Sequence, residues 1–260
     1  MTTWYGDPPA PFRRLRGVDW LRIGLRGGAL VGVILFGLIA MLILRPWSGR
    51  VVQGVCRVAL PLLGLRLRCS GAPMRHSGAL VANHASWLDI FALNACVPVQ
   101  FVAKAEVAGW PGIGALARAA GTLFIRRDAR DARVQQRAIE DRIRAGHRLV
   151  VFPEGTSSDG RRVLPFKSTL FQAFFAGEVA WIQPVTLIYR APQGQDPRFY
   201  GWWGDTGFAP HLAQVLACPG GAVEAIFHPP LRVRDVGTRK NLAALCEATV
   251  RAPLDQALSR

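Results

Sequence analysis

Short apolar, β-rich runs alternate with longer amphipathic stretches after Cys69. This alternation is typical of strands covered by helices, and it predicts an α/β fold with a central mixed, largely parallel sheet flanked by helices. The predicted strands are 65–69, 79–82, 100–103, 122–125, 149–152, 182–189 and 222–227. The predicted helices are 87–95, 112–120, 128–145, 169–176, 210–217 and 240–257. A chain of 260 residues accommodates one such domain and a short appendage.

The appendage is predicted from eighteen uncharged residues, 27–44, which have arginines on both sides. This run lies at the lower limit of what spans a bilayer, about 17–25 residues. A second apolar stretch, 51–67, is interrupted by Arg, Pro and Gly and is too broken to span alone. We therefore expect residues 1–64 to form a membrane-associated helical hairpin and residues 65–260 to form the α/β domain. Whether the first run spans the bilayer or lies in one leaflet is left open.

The net charge is +15 and the isoelectric point is about 11.1. Such a balance suits either nucleic acid or an anionic membrane surface, since both present phosphates. Between Trp20 and Leu88 every charged residue is an arginine, and these arginines are interleaved with long apolar runs. That placement favours membrane lipids as partners and argues against nucleic acid.

The cysteines are odd in number, widely spaced and without a Cys-x-x-Cys pair. This spacing argues against a zinc site and against a disulfide framework, so we expect no metal and a reducing, cytoplasmic compartment. The cysteines are expected to be small buried apolar residues. They are Cys56, Cys69, Cys96, Cys218 and Cys246.

His84 and Asp89 lie where a buried strand ends and a helix begins. On one regular helix, a spacing of five residues would place them about 140° apart, so they can meet only if the chain turns between them. A carboxylate against one imidazole nitrogen makes the other nitrogen a general base for an alcohol that attacks a thioester. The alternative is that Ser86 and Asp89 simply cap the helix.

A second polar motif follows the strand predicted at 149–152. Here Gly155 permits close backbone approach, and Thr156 supplies a hydroxyl group suited to an oxyanion or a phosphate. Because ligands bind at the carboxyl ends of strands in open α/β sheets, this motif and His84 are expected to face one crevice. An ordinary Pro-Glu-Gly turn around Glu154 is the alternative.

Cationic side chains also follow predicted strands. Arg126 and Arg127 lie just beyond the strand at 122–125, where they could clamp a phosphate, although a solvated arginine pair is common. Lys104 and Lys167 are two of only three lysines in the chain, and both lie beside these motifs.

Together these motifs resemble the four sequence blocks of the glycerolipid acyltransferase family, which includes bacterial 1-acylglycerol-3-phosphate and lyso-ornithine lipid acyltransferases. The resemblance covers 65–231 and keeps the order and spacing of the blocks. The matching segments are Asn83 to Asp89, Phe124 to Arg127, Phe152 to Thr156 and Ile182 to Val185. Many members have Asp where this chain has Arg126, so the second block departs slightly.

The resemblance implies that His84 and Asp89 are a catalytic dyad. It further implies that Arg127, Glu154 and Gly155 hold the polar head of the acceptor, and that the region around Pro184 lies near the acyl donor. The expected reaction moves a fatty acyl group from acyl-CoA or acyl carrier protein, as co-substrate and without a cofactor, to the hydroxyl of a lysolipid. The first choice of acceptor is 1-acylglycerol-3-phosphate, giving phosphatidic acid.

Lyso-ornithine lipid is the alternative acceptor. From other classes, a lipid or thioester hydrolase would use the same dyad on water, and a non-catalytic basic protein would bind membranes or nucleic acid through charge alone. For the enzyme, we expect the bacterial inner membrane, with the α/β domain on the cytoplasmic side.

Overall fold

A computed structural model describes residues 3–109, 113–125, 132–175 and 181–259. Its strands are β1 (Leu65–Gly71), β2 (Gly78–Ala82), β3 (Gln100–Lys104), β4 (Leu123–Ile125), β5 (Arg148–Val151), β6 (Trp181–Arg190), β7 (Gly221–Phe227) and β8 (Leu231–Arg232). Its α-helices are α1 (Gly17–Ile43), α2 (Ser48–Leu62), α3 (Asp89–Cys96), α4 (Ile113–Ala119), α5 (Ala132–Arg144), α6 (Gln172–Phe175), α7 (Phe208–Ala217) and α8 (Arg239–Leu258). Short 3-10 helices occupy Arg45–Trp47, Ala105–Gly109, Ser168–Phe171 and Val233–Asp235.

All eight strands form one sheet in the order β1-β7-β6-β2-β5-β3-β4, with β8 paired to β6. Strands β6, β2, β5, β3 and β4 run parallel, while β7 and β8 are antiparallel to β6. The predicted mixed, largely parallel sheet is therefore confirmed; β8 was not predicted. Because β2 and β5 are parallel neighbours, the segments that follow Ala82 and Val151 leave the sheet at the same edge.

Both faces of the sheet are covered, which explains why β2 is apolar throughout and why β6 is buried from Ile182 to Tyr189. Successive residues of β2 point to opposite faces, as the period of a strand requires. Leu80 and Ala82 belong to a core shared with α2, α3 and α7, whereas Ala79 and Val81 belong to a core shared with α5 and α8.

The amino-terminal segment folds as the predicted helical hairpin, with α1 packed on α2. Within the described residues, α1 is the one helix long and apolar enough to cross a bilayer. Gly37 allows the close packing, because a Cβ atom there would lie 2.4 Å from Cγ2 of Val55. Helix α2 is fixed on the carboxyl end of α3, since Arg57 Nε donates to Ala95 O at 2.8 Å. The division at residue 64 stays a prediction.

Cys69 at the end of β1 and Cys96 at the end of α3 form a disulfide bond. The expectation of free cysteines is wrong for this pair and right for the other three, which are buried. Spacing could not indicate the bond, because the two residues meet only where α3 packs near the end of β1.

Candidate active site

The loop after β2 is fixed by the amide of Asn83. Asn83 Nδ2 donates to Leu187 O at 2.9 Å, and Leu187 N donates to Asn83 Oδ1 at 2.7 Å. In these two bonds, the side chain of Asn83 takes the place of a backbone partner for β6. The backbone of β2 can therefore turn away from the sheet at His84. The carboxamide supplies both the donor and the acceptor that one peptide unit needs.

His84 and Asp89 are in direct contact, with 2.7 Å between His84 Nδ1 and Asp89 Oδ2. The chain turns between them as the spacing required, and Asp89 is the first residue of α3. Backbone N–H groups of Ala85 and Ser86 donate to the same carboxylate oxygen at 2.9 and 3.1 Å. Since Asp89 accepts the hydrogen on Nδ1, the neutral imidazole keeps Nε2 as a free lone pair for a substrate proton.

Helix capping alone does not account for this motif. Asp89 does accept from backbone N–H groups, yet it also holds the imidazole. The Ser86 hydroxyl is buried and has no hydrogen-bond partner in the described part of the chain, so it does not act as the predicted cap.

The environment of the dyad is asymmetric. Asp89 is 0% exposed, whereas 23% of the His84 side chain is exposed. The imidazole also stacks on the ring of Phe152, with centroids 4.1 Å apart and planes 14° from parallel. A buried carboxylate and a flat apolar neighbour hold the ring in one orientation while an edge stays accessible.

The side chain of Glu154 connects its own motif, after β5, to the loop of His84, after β2. Its Oε1 accepts from His84 N at 2.7 Å, and its Oε2 accepts from Leu164 N at 2.9 Å. The side chain is only 1% exposed, and burial raises its pKa to about 8. Both oxygens of this buried carboxyl group already accept backbone hydrogens, and the predicted contact of Glu154 with the acceptor stays a prediction.

Gly155 and the residues after it form a turn beside the His84 loop. Gly155 has a φ of +73°, which favours glycine, and its N–H donates to Phe152 O at 3.1 Å. Ser158 N donates to His84 O at 2.8 Å. Thr156 Oγ1 accepts from Trp4 N at 3.4 Å. The structure thus brings the two sequence motifs together at one edge of the sheet.

The remaining predicted site residues have no direct contact with the dyad that the structure describes. Lys104 ends β3 at the same edge as the dyad, and Lys167 N donates to Pro153 O at 3.0 Å, next to the Glu154 turn. Pro184 is buried within β6, where it is paired with Val81. Arg126 and Arg127 lie outside the described residues.

Sequence reasoning missed two contacts of this site. The hydroxyl of Tyr189 donates to Asp89 Oδ1 at 2.7 Å, and Trp87 Nε1 donates to His211 Nδ1 at 3.0 Å. Both join residues at least 100 positions apart, so no local pattern indicated them. In the described ranges, no group of three or more His, Cys, Asp or Glu is arranged to hold a metal ion.

Comparison with known proteins adds the family. The chain is 53% identical over 268 residues to the lyso-ornithine lipid O-acyltransferase of Rhodobacter capsulatus, and the match covers 97% of each chain. This chain belongs to the acyltransferase family. The sequence model of a family described as acyltransferase also matches residues 66–188 of the chain.

A second sequence relative and a solved structure are also similar to this acyltransferase. It is 42% identical over 150 residues to a 1-acyl-sn-glycerol-3-phosphate acyltransferase of Neisseria gonorrhoeae, covering 56% of this chain and 58% of the relative. The crystal structure of the 1-acyl-sn-glycerophosphate acyltransferase from Thermotoga maritima superposes with a TM-score of 0.67, covering 94% of this chain and 95% of that chain. The identity there is 20%, so this likeness confirms the fold.

Proposed function

We propose that this acyltransferase moves a fatty acyl group from a thioester to the free hydroxyl of lyso-ornithine lipid. The observation that carries the choice of acceptor is the 53% identity, along 97% of both chains, to a lyso-ornithine lipid O-acyltransferase. The similarity to a 1-acylglycerol-3-phosphate enzyme extends over 56% of the chain. The alternative acceptor of the sequence analysis is therefore preferred over the first choice, which stays the second candidate.

In the proposed mechanism, His84 Nε2 removes the proton from the acceptor hydroxyl as its oxygen attacks the thioester carbonyl carbon. Asp89 stabilises the imidazolium that forms, since it already holds Nδ1 at 2.7 Å. The tetrahedral intermediate then collapses, the carbon–sulfur bond breaks, and the leaving thiolate takes the proton from His84. Donors near Gly155 and Thr156 are proposed to stabilise the oxyanion.

We propose that cationic side chains bind the polar head of the acceptor. Lyso-ornithine lipid presents a carboxylate and an amine, whereas 1-acylglycerol-3-phosphate presents a phosphate. Arg127 would form a two-pronged contact with either anion, with Arg126, Lys104 and Lys167 adding positive charge nearby. The buried Glu154 is proposed to fix the loop of His84 rather than to touch the acceptor.

We propose that the α1–α2 hairpin holds the enzyme on one leaflet. Arg26 Nη1 donates to Leu216 O at 3.1 Å and Cys218 O at 2.6 Å, which fixes the first half of α1 on the carboxyl end of α7. The second half packs on α2 at Gly37, and α2 itself lies on α3. A helix held along the domain in this way is suited to lie in one leaflet with its apolar side in the lipid. The bacterial inner membrane, with the domain on its cytoplasmic side, stays a proposal, although the Cys69–Cys96 bond removes the argument for it from cysteine spacing.

The test compares both acceptors directly. Purified enzyme in detergent is given labelled acyl-CoA or acyl carrier protein with lyso-ornithine lipid, with 1-acylglycerol-3-phosphate or with no acceptor, and the products are separated by chromatography. We expect diacylated ornithine lipid as the main product. Phosphatidic acid as the main product would refute the choice of acceptor, and release of free fatty acid at equal rates with and without acceptor would indicate a hydrolase.

His84→Ala tests the dyad in the same assay. We expect turnover to fall to background while the melting temperature stays close to that of the wild type. His147→Ala is the matched control, because His147 is exposed in the turn before β5. Turnover by His84→Ala comparable to that of the control would contradict the assignment.

A further inference from the structure

We propose that Tyr189 is a positioning residue of the His84–Asp89 pair, and that its hydroxyl fixes the orientation and the charge of the Asp89 carboxylate. The inference rests on the proposed dyad mechanism. It extends the pair to a chain of three side chains that runs from β6 to the accessible edge of the imidazole.

The two oxygens of Asp89 have different partners. Oδ2 accepts three hydrogens, from His84 Nδ1 and from the backbone of Ala85 and Ser86. Oδ1 accepts from the Tyr189 hydroxyl at 2.7 Å, inside the protein. Because one oxygen is held by the loop and the other by the sheet, the carboxylate cannot rotate about its Cβ–Cγ bond without losing a partner.

Strand β6 is well placed to provide this support. Leu187 on β6 bonds the amide of Asn83, and Tyr189 follows two residues later on the same face of the strand. One strand therefore holds the residue before His84 and the carboxylate that orients it. Tyr189 is itself fixed by its strand pairing with Val223 and by burial, with 6% exposed.

The Tyr189 hydroxyl keeps the proton that it donates to Asp89. Burial, followed by the negative charge of Asp89, raises the pKa of Tyr189 well above its ordinary value, so the hydroxyl keeps its proton. Among the described residues, the other titratable groups that act on this network are Glu154, whose pKa Arg251 on α8 lowers, and Tyr200. None of them is altered in the Tyr189 variant, so their effects are common to both proteins.

Tyr189→Phe removes the donor and keeps the ring. The carboxylate then attracts the proton on His84 more strongly, so a higher pH is needed to free Nε2. We expect kcat/KM at neutral pH to fall about tenfold, a change of the size of one lost hydrogen bond to a charged group. The acidic limb of the kcat/KM pH profile should move to higher pH, while the KM values for donor and acceptor stay unchanged.

Tyr200→Phe is the matched control. Tyr200 is also buried, its ring lies 5.7 Å from that of Tyr189, and its hydroxyl bonds Gly64 O rather than the dyad. A purely structural role for Tyr189 predicts similar losses of thermal stability and an unmoved acidic limb in both variants. That result would overturn the proposal.

A second measurement applies whether or not Tyr189→Phe folds. The chain has three tyrosines, so Tyr189 is the only one left in a Tyr5→Phe, Tyr200→Phe double variant. Replacing it with 3,5-difluorotyrosine keeps the ring and makes the hydroxyl a stronger donor. The acidic limb should then move to lower pH, and a limb that stays in place or moves upward contradicts the proposal. Turnover by His84→Ala would instead refute the dyad itself, so the two failures are distinguishable.

Discussion

Replacing Asp89 by Asn separates the charge of the dyad from its geometry. The new amide oxygen can take the place of Oδ2 and accept the same three hydrogens, from His84, Ala85 and Ser86. The new amide nitrogen would then face Tyr189, whose hydroxyl can rotate to accept instead of donate. The loop should keep its shape, and the tautomer of His84 should keep its lone pair on Nε2.

What the variant loses is the negative charge opposite the imidazolium. A hydrogen bond to a charged partner contributes about 1.5–3 kcal/mol, against about 1 kcal/mol for a neutral pair, and the difference grows in a buried site. We expect a loss of about 2–3 kcal/mol of transition-state stabilisation, or roughly 30- to 150-fold in kcat.

The assay is steady-state acyl transfer with lyso-ornithine lipid at saturating donor, together with a thermal melt. The expected result is a low kcat with unchanged KM and a melting temperature near that of the wild type. In the Asp89→Asn background, Tyr189→Phe should have little further effect on kcat. A kcat within about threefold of wild type would refute the role of Asp89, since a factor of three corresponds to less than 1 kcal/mol.

Two further predictions concern stability, measured by urea unfolding in detergent micelles. Asn83→Ala leaves the buried N–H and C=O of Leu187 without partners, so the free energy of unfolding should fall by about 2–4 kcal/mol; a fall below about 0.5 kcal/mol would contradict the bridging role. Glu154 has a folded-state pKa of about 8 against an ordinary value of 4.5, so the folded protein binds more protons between these pH values. Stability should therefore fall as pH rises through this window, by at most about 1.4 kcal/mol per unit, and Glu154→Gln should remove that dependence. An equal pH dependence in both proteins would contradict it.

Most strands of the sheet could be predicted, because a buried strand has a recognisable local composition. Strand β2 is covered on both faces and is apolar throughout, and β6, although it contains Gln183 and Pro184, is rich in β-branched and aromatic residues. The two-residue β8 carries no such run and was missed. The disulfide was missed because it depends on where α3 lies relative to β1.

The place of the candidate site in the fold could be predicted from the sequence. His84, Asp89 and Glu154 follow strands, and strand ends are where ligands bind in such sheets. Their roles were harder to predict, because a sequence motif does not reveal which way a side chain points. The sequence indicated Glu154 as a polar group near the dyad, but it could not indicate that its carboxyl group bonds the backbone of His84 and Leu164.

The sequence by itself determined the class of fold, the apolar hairpin and the order of the polar motifs, because these depend on residue type and short-range periodicity. Only the tertiary structure decided that Tyr189 reaches Asp89 and that Asn83 bridges to Leu187. Both contacts exist because β6 lies beside β2, although about a hundred residues separate them along the chain. Strand order is set by the packing of the whole sheet, and no local stretch of sequence contains it.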